Sequence, residues 1–222
     1  MLLKKIVNKF VIAALYFSGK CRAIFQQSSY HIKPGYIHRK KISYFDDTNL
    51  TDEYQKEVYE QARFYLDKFG YNNILDIGCG SGYKLLQHFS HCNTVGSDIS
   101  PTYEYLTNKY PDRVWVNALS NKGIPAKTDI IICADVIEHV LNPDSLLQFI
   151  NTIDFELLFL STPERNLISG KFHYGPAYNQ CHIREWTAKE LRNYVSQFFH
   201  VEAHMITNIE DATQLIICKK KR

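Results

Sequence analysis

The sequence predicts an α/β fold built on a doubly wound, mostly parallel sheet, and three observations carry that prediction. From Ile74 onward, short apolar runs alternate with helical patterns, the signature of strand–helix units in a parallel sheet. The run Asp129–Ala134 is unbroken and rich in isoleucine, as expected of a strand covered on both faces. The run Ile74–Ile77 leads straight into Gly78, Gly80 and Gly82, a turn where a ligand can approach the backbone.

The elements follow in order. Thr51 is the expected N-cap of a first helix, with Asp52 and Glu53 in its first turn. Tyr54, Val58, Ala62, Tyr65, Leu66 and Phe69 trace its buried face up to a stop at Gly70. Ile74–Ile77 is strand one and Tyr83–Phe89 its helix. Thr94–Ile99 is strand two, and Pro101–Lys109 a helix with proline in the first turn. Val114–Ala118 and Asp129–Ala134 are strands three and four. Pro143–Ile153 is a helix and Glu156–Ser161 strand five. A long loop runs from Thr162 to about Ile183, then a helix from Thr187 to Phe198. Val201–Thr207 and Gln214–Cys218 form an antiparallel pair at the sheet edge. Residues 1–48 are expected to be an appendage and 49–222 the main domain. Lys219–Arg222 reads as a solvated tail.

A chain of 222 residues with 45% apolar and 22% charged content is ordinary for a globular protein. A net charge of +3 does not imply nucleic-acid binding. The six cysteines show neither C-x-x-C nor zinc-ligand spacing; no metal set is expected, and the pattern fits a reducing cytoplasm. Near the N-terminus, Leu2, Leu3, Ile6, Val7, Phe10, Val11 and Ala14 repeat at helical spacing, with Lys4, Lys5, Asn8 and Lys9 opposite. Such a basic amphipathic helix packs on its own domain or, in the rival reading, lies on an anionic membrane through residues 1–20. A signal peptide is disfavoured, because Asn8 and Lys9 interrupt the apolar region and no A-x-A site follows.

Ligands of open parallel sheets bind beyond the carboxyl ends of the strands. Those ends carry Asp76 with the glycines, then Asp98, then Asn117 and Ala118, then Asp135, Glu138 and His139, then Ser161, Thr162 and Pro163. An acid ending strand two is placed to accept the hydroxyls of a ribose. A nicotinamide enzyme also uses one there, but its first loop is spaced G-x-G-x-x-G, and an acid beside a pyrophosphate would be repulsive. Asp76 before Gly78-x-Gly80-x-Gly82 instead suits a ligand with a cationic end.

With these residues the chain resembles the class I S-adenosylmethionine-dependent methyltransferases. The match lies in Leu75–Gly82, in Gly96–Ser100 and in Asp129–Val140, and in element order over roughly residues 52 to 218. The resemblance implies a seven-stranded sheet with an antiparallel last strand and S-adenosylmethionine as cofactor. Gly78, Cys79, Gly80 and Gly82 would lie along its methionine part, and Asp76 would hold that loop and reach the amino group. Asp98 would bind the ribose and Ile99 pack on the adenine. Asn117 and Ala118 would line the adenine edge, Asn117 departing from a frequent Asp. Asp135 would border the cofactor on the catalytic side. A second likeness, in Ser161–Arg165, Gly175-Pro176, Asn179 and His182–Thr187, is to methyltransferase domains of bacterial surface-polysaccharide and natural-product pathways. It implies a polar small-molecule or glycan acceptor, methylated at oxygen or nitrogen. A nucleic-acid acceptor is disfavoured, because no Asn/Asp-Pro-Pro-Tyr/Phe motif follows strand four.

Transfer from a sulfonium needs chiefly alignment and exclusion of water. His139 is the candidate base for a hydroxyl acceptor, with packing as its competing role. His173, His182 and Arg184, in and after the long loop, are candidate substrate contacts; anchoring of the loop is the competing role for His182 and Arg184. Competing functions are a non-catalytic S-adenosylmethionine-binding protein and a nicotinamide-dependent oxidoreductase.

Overall fold

The computed structural model describes residues 13–14, 16–25, 27–41, 43–120 and 122–221. Seven strands form one sheet in the order β3-β2-β1-β4-β5-β7-β6. They are β1 (Asn73–Ile77), β2 (Asn93–Asp98), β3 (Val114–Asn117), β4 (Lys127–Ala134), β5 (Asp154–Pro163), β6 (Phe199–Asn208) and β7 (Thr213–Lys220). β1 to β5 pair in parallel, while β7 runs antiparallel to both β5 and β6. The helices are α1 (Lys56–Phe69), α2 (Tyr83–His88), α3 (Thr102–Lys109), α4 (Pro143–Thr152), α5 (Arg165–Ser169) and α6 (Ala188–Val195).

The central strands are apolar on both faces because each face has its own cover. On one side Leu75, Ile77, Ile131, Cys133, Leu158 and Leu160 pack with Leu147 and Ile150 of α4 and Leu191 and Tyr194 of α6. On the other, Ile74, Ile130, Ile132, Leu157 and Phe159 pack with Val58, Ala62 and Leu66 of α1. Full burial of each such side chain contributes about 1.5–3 kcal/mol, so the sheet centre is rigid where the site begins.

Several boundaries differ from expectation, and the largest shifts have local reasons. α1 begins at Lys56 rather than after Thr51. The Thr51 amide and hydroxyl both donate to the Glu53 carboxylate, and Tyr54 and Gln55 take left-handed conformations. That detour lets the Gln55 amide donate to Asp135. β5 runs on to Pro163 because Thr162 and Pro163 pair with Gln214 and Thr213; α5 then occupies part of the expected loop. Lys219 and Lys220 are strand residues paired with His200 and Phe199, not a tail. α6 starts as expected, with Thr187 and Glu190 capping reciprocally, but ends at Val195.

The expected break at residue 48 does not coincide with a break in packing. Ile32 and Tyr36 are in the core, the Trp186 indole donates to the Tyr30 carbonyl, and the Ile37 and Arg39 amides donate to Tyr174 and Ile183. Residues 16–23 are helical. The residues from Leu2 to Val11, on which the amphipathic pattern rests, lie outside the described residues.

Candidate functional site

A cavity of about 570 Å³ opens at the carboxyl ends of β1, β2, β4 and β5. Its first end is the glycine turn. The Gly78 and Cys79 amides both donate to the Ser97 carbonyl, tying the turn to β2. Gly78 has φ +74°, and a β-carbon there would strike the Val136 side chain; Gly80 has φ +53°, and a β-carbon there would strike the Asp47 carboxylate. Both conformation and space therefore demand glycine. Asp98 closes this end: one oxygen accepts from the Gly80 amide at 2.8 Å and the other from the Ile99 amide at 2.7 Å. Gly78, Cys79, Gly80, Asp98, Ile99 and Ala118 line the cavity together.

Gly82 and Asn117 do not line the cavity. Gly82 packs against Trp115 and Leu106. The Asn117 side-chain oxygen accepts from the Leu119 amide at 3.0 Å, so the expected adenine acceptor is instead part of the turn. Asp76 also stands behind the wall. It is fully buried, accepts from the Tyr59 hydroxyl at 2.9 Å, and keeps its other oxygen unpartnered among the described residues.

The acids of this end repel one another in a poorly solvated space. Burial pushes the Asp76 carboxyl up to about 7 against the opposing Tyr59 hydrogen bond. Burial and neighbouring Asp98 push Asp47 up to about 6. Burial raises Asp98 as well. Lys84 lines the same cavity and is lowered by its own burial. A cluster of this kind favours a cationic ligand.

The other end is built from three separate segments. Asp135 sits just beyond β4, with φ +53°; its carboxylate accepts from the Ser161 hydroxyl at 2.6 Å and the Gln55 amide at 3.0 Å. Glu138 is fully buried. One of its oxygens accepts from the Thr162 hydroxyl at 2.9 Å, and the other has no partner among the described residues. Burial, then Asp135, push Glu138 up to about 8. The His139 Nδ1 lies 2.7 Å from the Cys181 carbonyl. A carbonyl only accepts, so Nδ1 carries the proton and Nε2 holds the lone pair. Burial lowers the His139 pKa, which keeps the ring neutral. His182 Nδ1 donates to Glu185 at 2.9 Å, and its Nε2 faces the Asn179 amide at 3.0 Å. The Ile183 amide donates to the Glu138 carbonyl at 2.8 Å, joining the two segments.

Glu138, His139 and His182 thus bring ligand atoms within 4.8 Å of one another. No metal set is visible in the sequence, because His182 is supplied by the far end of a loop. Two imidazoles and a carboxylate suit a divalent transition metal.

His173 and Arg184 do not reach the cavity. His173 is buried against Tyr36 and Tyr178. Arg184 donates to the Val140 and Leu141 carbonyls at 2.7 and 2.8 Å and to His38, and stacks over Tyr30 and Trp186. The structure therefore does not bring these two expected substrate contacts to the cavity, and the Arg184 guanidinium is taken up by His38 and the two carbonyls. His182 and His139 do line the cavity. The roof went unread in the sequence: Tyr44, Phe45, Asp47, Leu50 and Tyr54 cover the cavity from the segment before α1. The one available signal was Asp46-Asp47, the first acids after a long basic stretch.

The methyltransferase domain family matches residues 39–201 of this chain. Over 150 residues it is 25% identical to the mitochondrial ubiquinone biosynthesis O-methyltransferase of Saccharomyces cerevisiae, matching 61% of this chain and 46% of the yeast protein. The chain therefore spans about half the length of that curated relative. Among solved structures, the PH0226 protein of Pyrococcus horikoshii superposes with a TM-score of 0.57 at 16% identity, over 80% of this chain and 95% of that one. The small RNA methyltransferase HEN1 gives 0.56 at 22%, over 82% and 27%. The magnesium protoporphyrin IX methyltransferase of Synechocystis, solved with bound S-adenosylmethionine, gives 0.54 at 16%, over 75% and 79%. At these identities the superpositions speak for the fold. The chain belongs to the methyltransferase domain family and is a class I S-adenosylmethionine-dependent methyltransferase domain.

Proposed function

We propose that the protein transfers the methyl group of S-adenosylmethionine to a hydroxyl oxygen of a small molecule with an apolar or aromatic body, and that Glu138, His139 and His182 hold a divalent cation against that hydroxyl. The observation that carries the cation is Glu138: a fully buried carboxylate with one oxygen unpartnered, beside two imidazoles. Such an oxygen costs several kcal/mol if nothing meets it. The apolar acceptor is supported by Tyr54, Val140, Leu146 and Ile168, which line the same cavity as His139. The similarity to an O-methyltransferase of ubiquinone biosynthesis points the same way.

The glycine turn and Asp98 hold the donor, and the roof residues from Tyr44 to Tyr54 exclude water. The acceptor oxygen forms its bond to the methyl carbon as the carbon–sulfur bond breaks. The electron pair goes to sulfur, leaving S-adenosylhomocysteine, and the hydroxyl proton leaves to water. When bound, a divalent cation lowers the pKa of a hydroxyl it touches and so makes that loss easy near neutrality. Its capture must also displace the Asn179 amide from the His182 Nε2 if that atom is the ligand.

One observation favours a second reading, in which His139 is a metal-free general base: its Nε2 lone pair is oriented by the Cys181 carbonyl. Burial lowers the basicity of that ring, which disfavours it as a base but not as a ligand. The test is methyl transfer from labelled S-adenosylmethionine to a panel of phenols, catechols and sugars, with and without a chelator. Transfer to phenolic acceptors that chelation abolishes and added Mn²⁺ restores supports the proposal. Activity indifferent to chelation but lost in His139→Gln supports the base. Transfer to sugars alone contradicts the acceptor class. Stabilisation by NAD and not by S-adenosylmethionine would contradict both readings.

A further inference from the structure

The charge of the chain is divided unevenly along it. Nine lysines and arginines precede Asp46, and no acidic residue does; the rest of the chain is net acidic, with 17 of the 26 basic residues against all 23 acids. A segment of that composition is drawn to anionic surfaces.

The structure shows what this segment presents. The helix at residues 16–23 turns Gly19 inward, where a β-carbon would strike the Tyr174 ring. Tyr16 packs edge-on against Phe172 at 5.1 Å. With that side docked, Phe17 is 68% exposed, Ile24 75% and Phe25 90%. Phe17 lies on the helix, Ile24 and Phe25 lie in the turn that ends it, and Lys20 between them in sequence is exposed. In the sequence a seven-residue spacing runs back from Phe17 through Phe10 and Leu3. The half-buried Tyr16 touches Phe172, which is exposed, and four residues before Phe172 in the chain Ile168 is both exposed and part of the cavity wall. Large apolar side chains held in water beside cations fit a lipid interface, where rings and aliphatic chains leave water while lysine and arginine meet headgroups.

We infer that this face docks on an anionic membrane surface through Phe17, Ile24 and Phe25 with the basic residues around them, placing the Ile168 side of the cavity toward the lipid. Docking does not depend on the methyltransferase reaction. It adds that the acceptor is one that partitions to membranes. RNA is the competing anionic partner, but phosphates gain nothing from an exposed isoleucine.

The experiment is flotation of the full chain with phosphatidylcholine vesicles made with and without phosphatidylglycerol, in low and high salt. Binding at least about tenfold stronger to the anionic vesicles and weakened by salt is expected. The double variant Phe17→Ser/Phe25→Ser is expected to lose about tenfold in vesicle affinity while melting at the temperature of the unmodified protein. If that variant melts lower, Lys40→Glu/Lys41→Glu, at two exposed positions, supplies the same test through charge. No vesicle binding, equal binding to both vesicles, unaltered binding in the variants, or tighter binding to RNA than to anionic vesicles would overturn the inference. None of these outcomes touches cofactor binding, which a separate titration with S-adenosylhomocysteine reads.

Discussion

The two ends of the cavity are built in different ways. The donor end comes from neighbouring stretches, β1 with its glycine turn and the end of β2, and its key polar contacts are to backbone amides. The acceptor end gathers Asp135, Glu138 and His139 from beyond β4, Ser161 and Thr162 from β5, and His182 from a later loop, and its carboxylates are held by side chains, Ser161 and Gln55 on Asp135 and Thr162 on Glu138. Backbone contacts hold whatever carries the invariant part of the chemistry. Side-chain contacts leave the other end open to change with the acceptor.

That difference yields graded predictions. Glu138→Gln keeps shape but removes the carboxyl group that would ionise on a cation, and is expected to cut turnover about a thousandfold, roughly 4 kcal/mol, while S-adenosylhomocysteine binds within about threefold of normal; equal loss of both would merge the two ends. Asp98→Ala is the mirror experiment. Calorimetry is expected to show S-adenosylhomocysteine binding weakened about thirtyfold to a hundredfold, the scale of lost hydrogen bonds to a charged group, with metal binding unchanged.

The donor end should also be pH-dependent where a neutral binding site would not be. Asp76 and Asp47 hold protons up to about 7 and 6 in the empty protein, above their ordinary 3.8. Their contribution to the stability of the empty fold is fully present below that value and lost as pH rises through the raised ones. A cationic ligand favours the ionised acids, so S-adenosylmethionine binding should release protons and strengthen as pH rises from 5 to 8. Calorimetry in buffers of different ionisation enthalpy reads both; tighter binding at pH 5 would contradict the acid cluster as its cause.

Arg184 tests the border of the acceptor end. Arg184→Met leaves the Val140 and Leu141 carbonyls without donors, and is expected to cost about 2–3 kcal/mol by denaturant unfolding with S-adenosylhomocysteine affinity intact. The smallest effect is expected at Asn117. Asn117→Ala removes a turn hydrogen bond and should shift that affinity less than about threefold, since the side chain does not line the cavity.

How far the sequence could be read follows the same division. The succession of strands and helices and the donor end were legible because they depend on local periodicity and on glycines whose positive φ and close approach leave no alternative. Asp76 was legible as important but not as buried behind the wall, since its burial is set by Tyr59 on a preceding helix. His139 was visible; its partnership with His182 was not, because a loop conformation decides it. Arg184 looked like a free cation and is not, as two carbonyls of the His139 segment occupy it. Asp47 and the roof were missed because nothing periodic marks a covering loop.

The most direct test of a separate, cation-holding acceptor end needs no acceptor. Co²⁺ is titrated into the metal-free protein and followed by its visible absorption, in the unmodified chain, in His139→Ala and in Asp98→Ala. Glu138, His139 and His182 predict one bound ion in the unmodified chain and in Asp98→Ala, and none in His139→Ala. Absence of binding in the unmodified chain, or binding that survives His139→Ala, would contradict it.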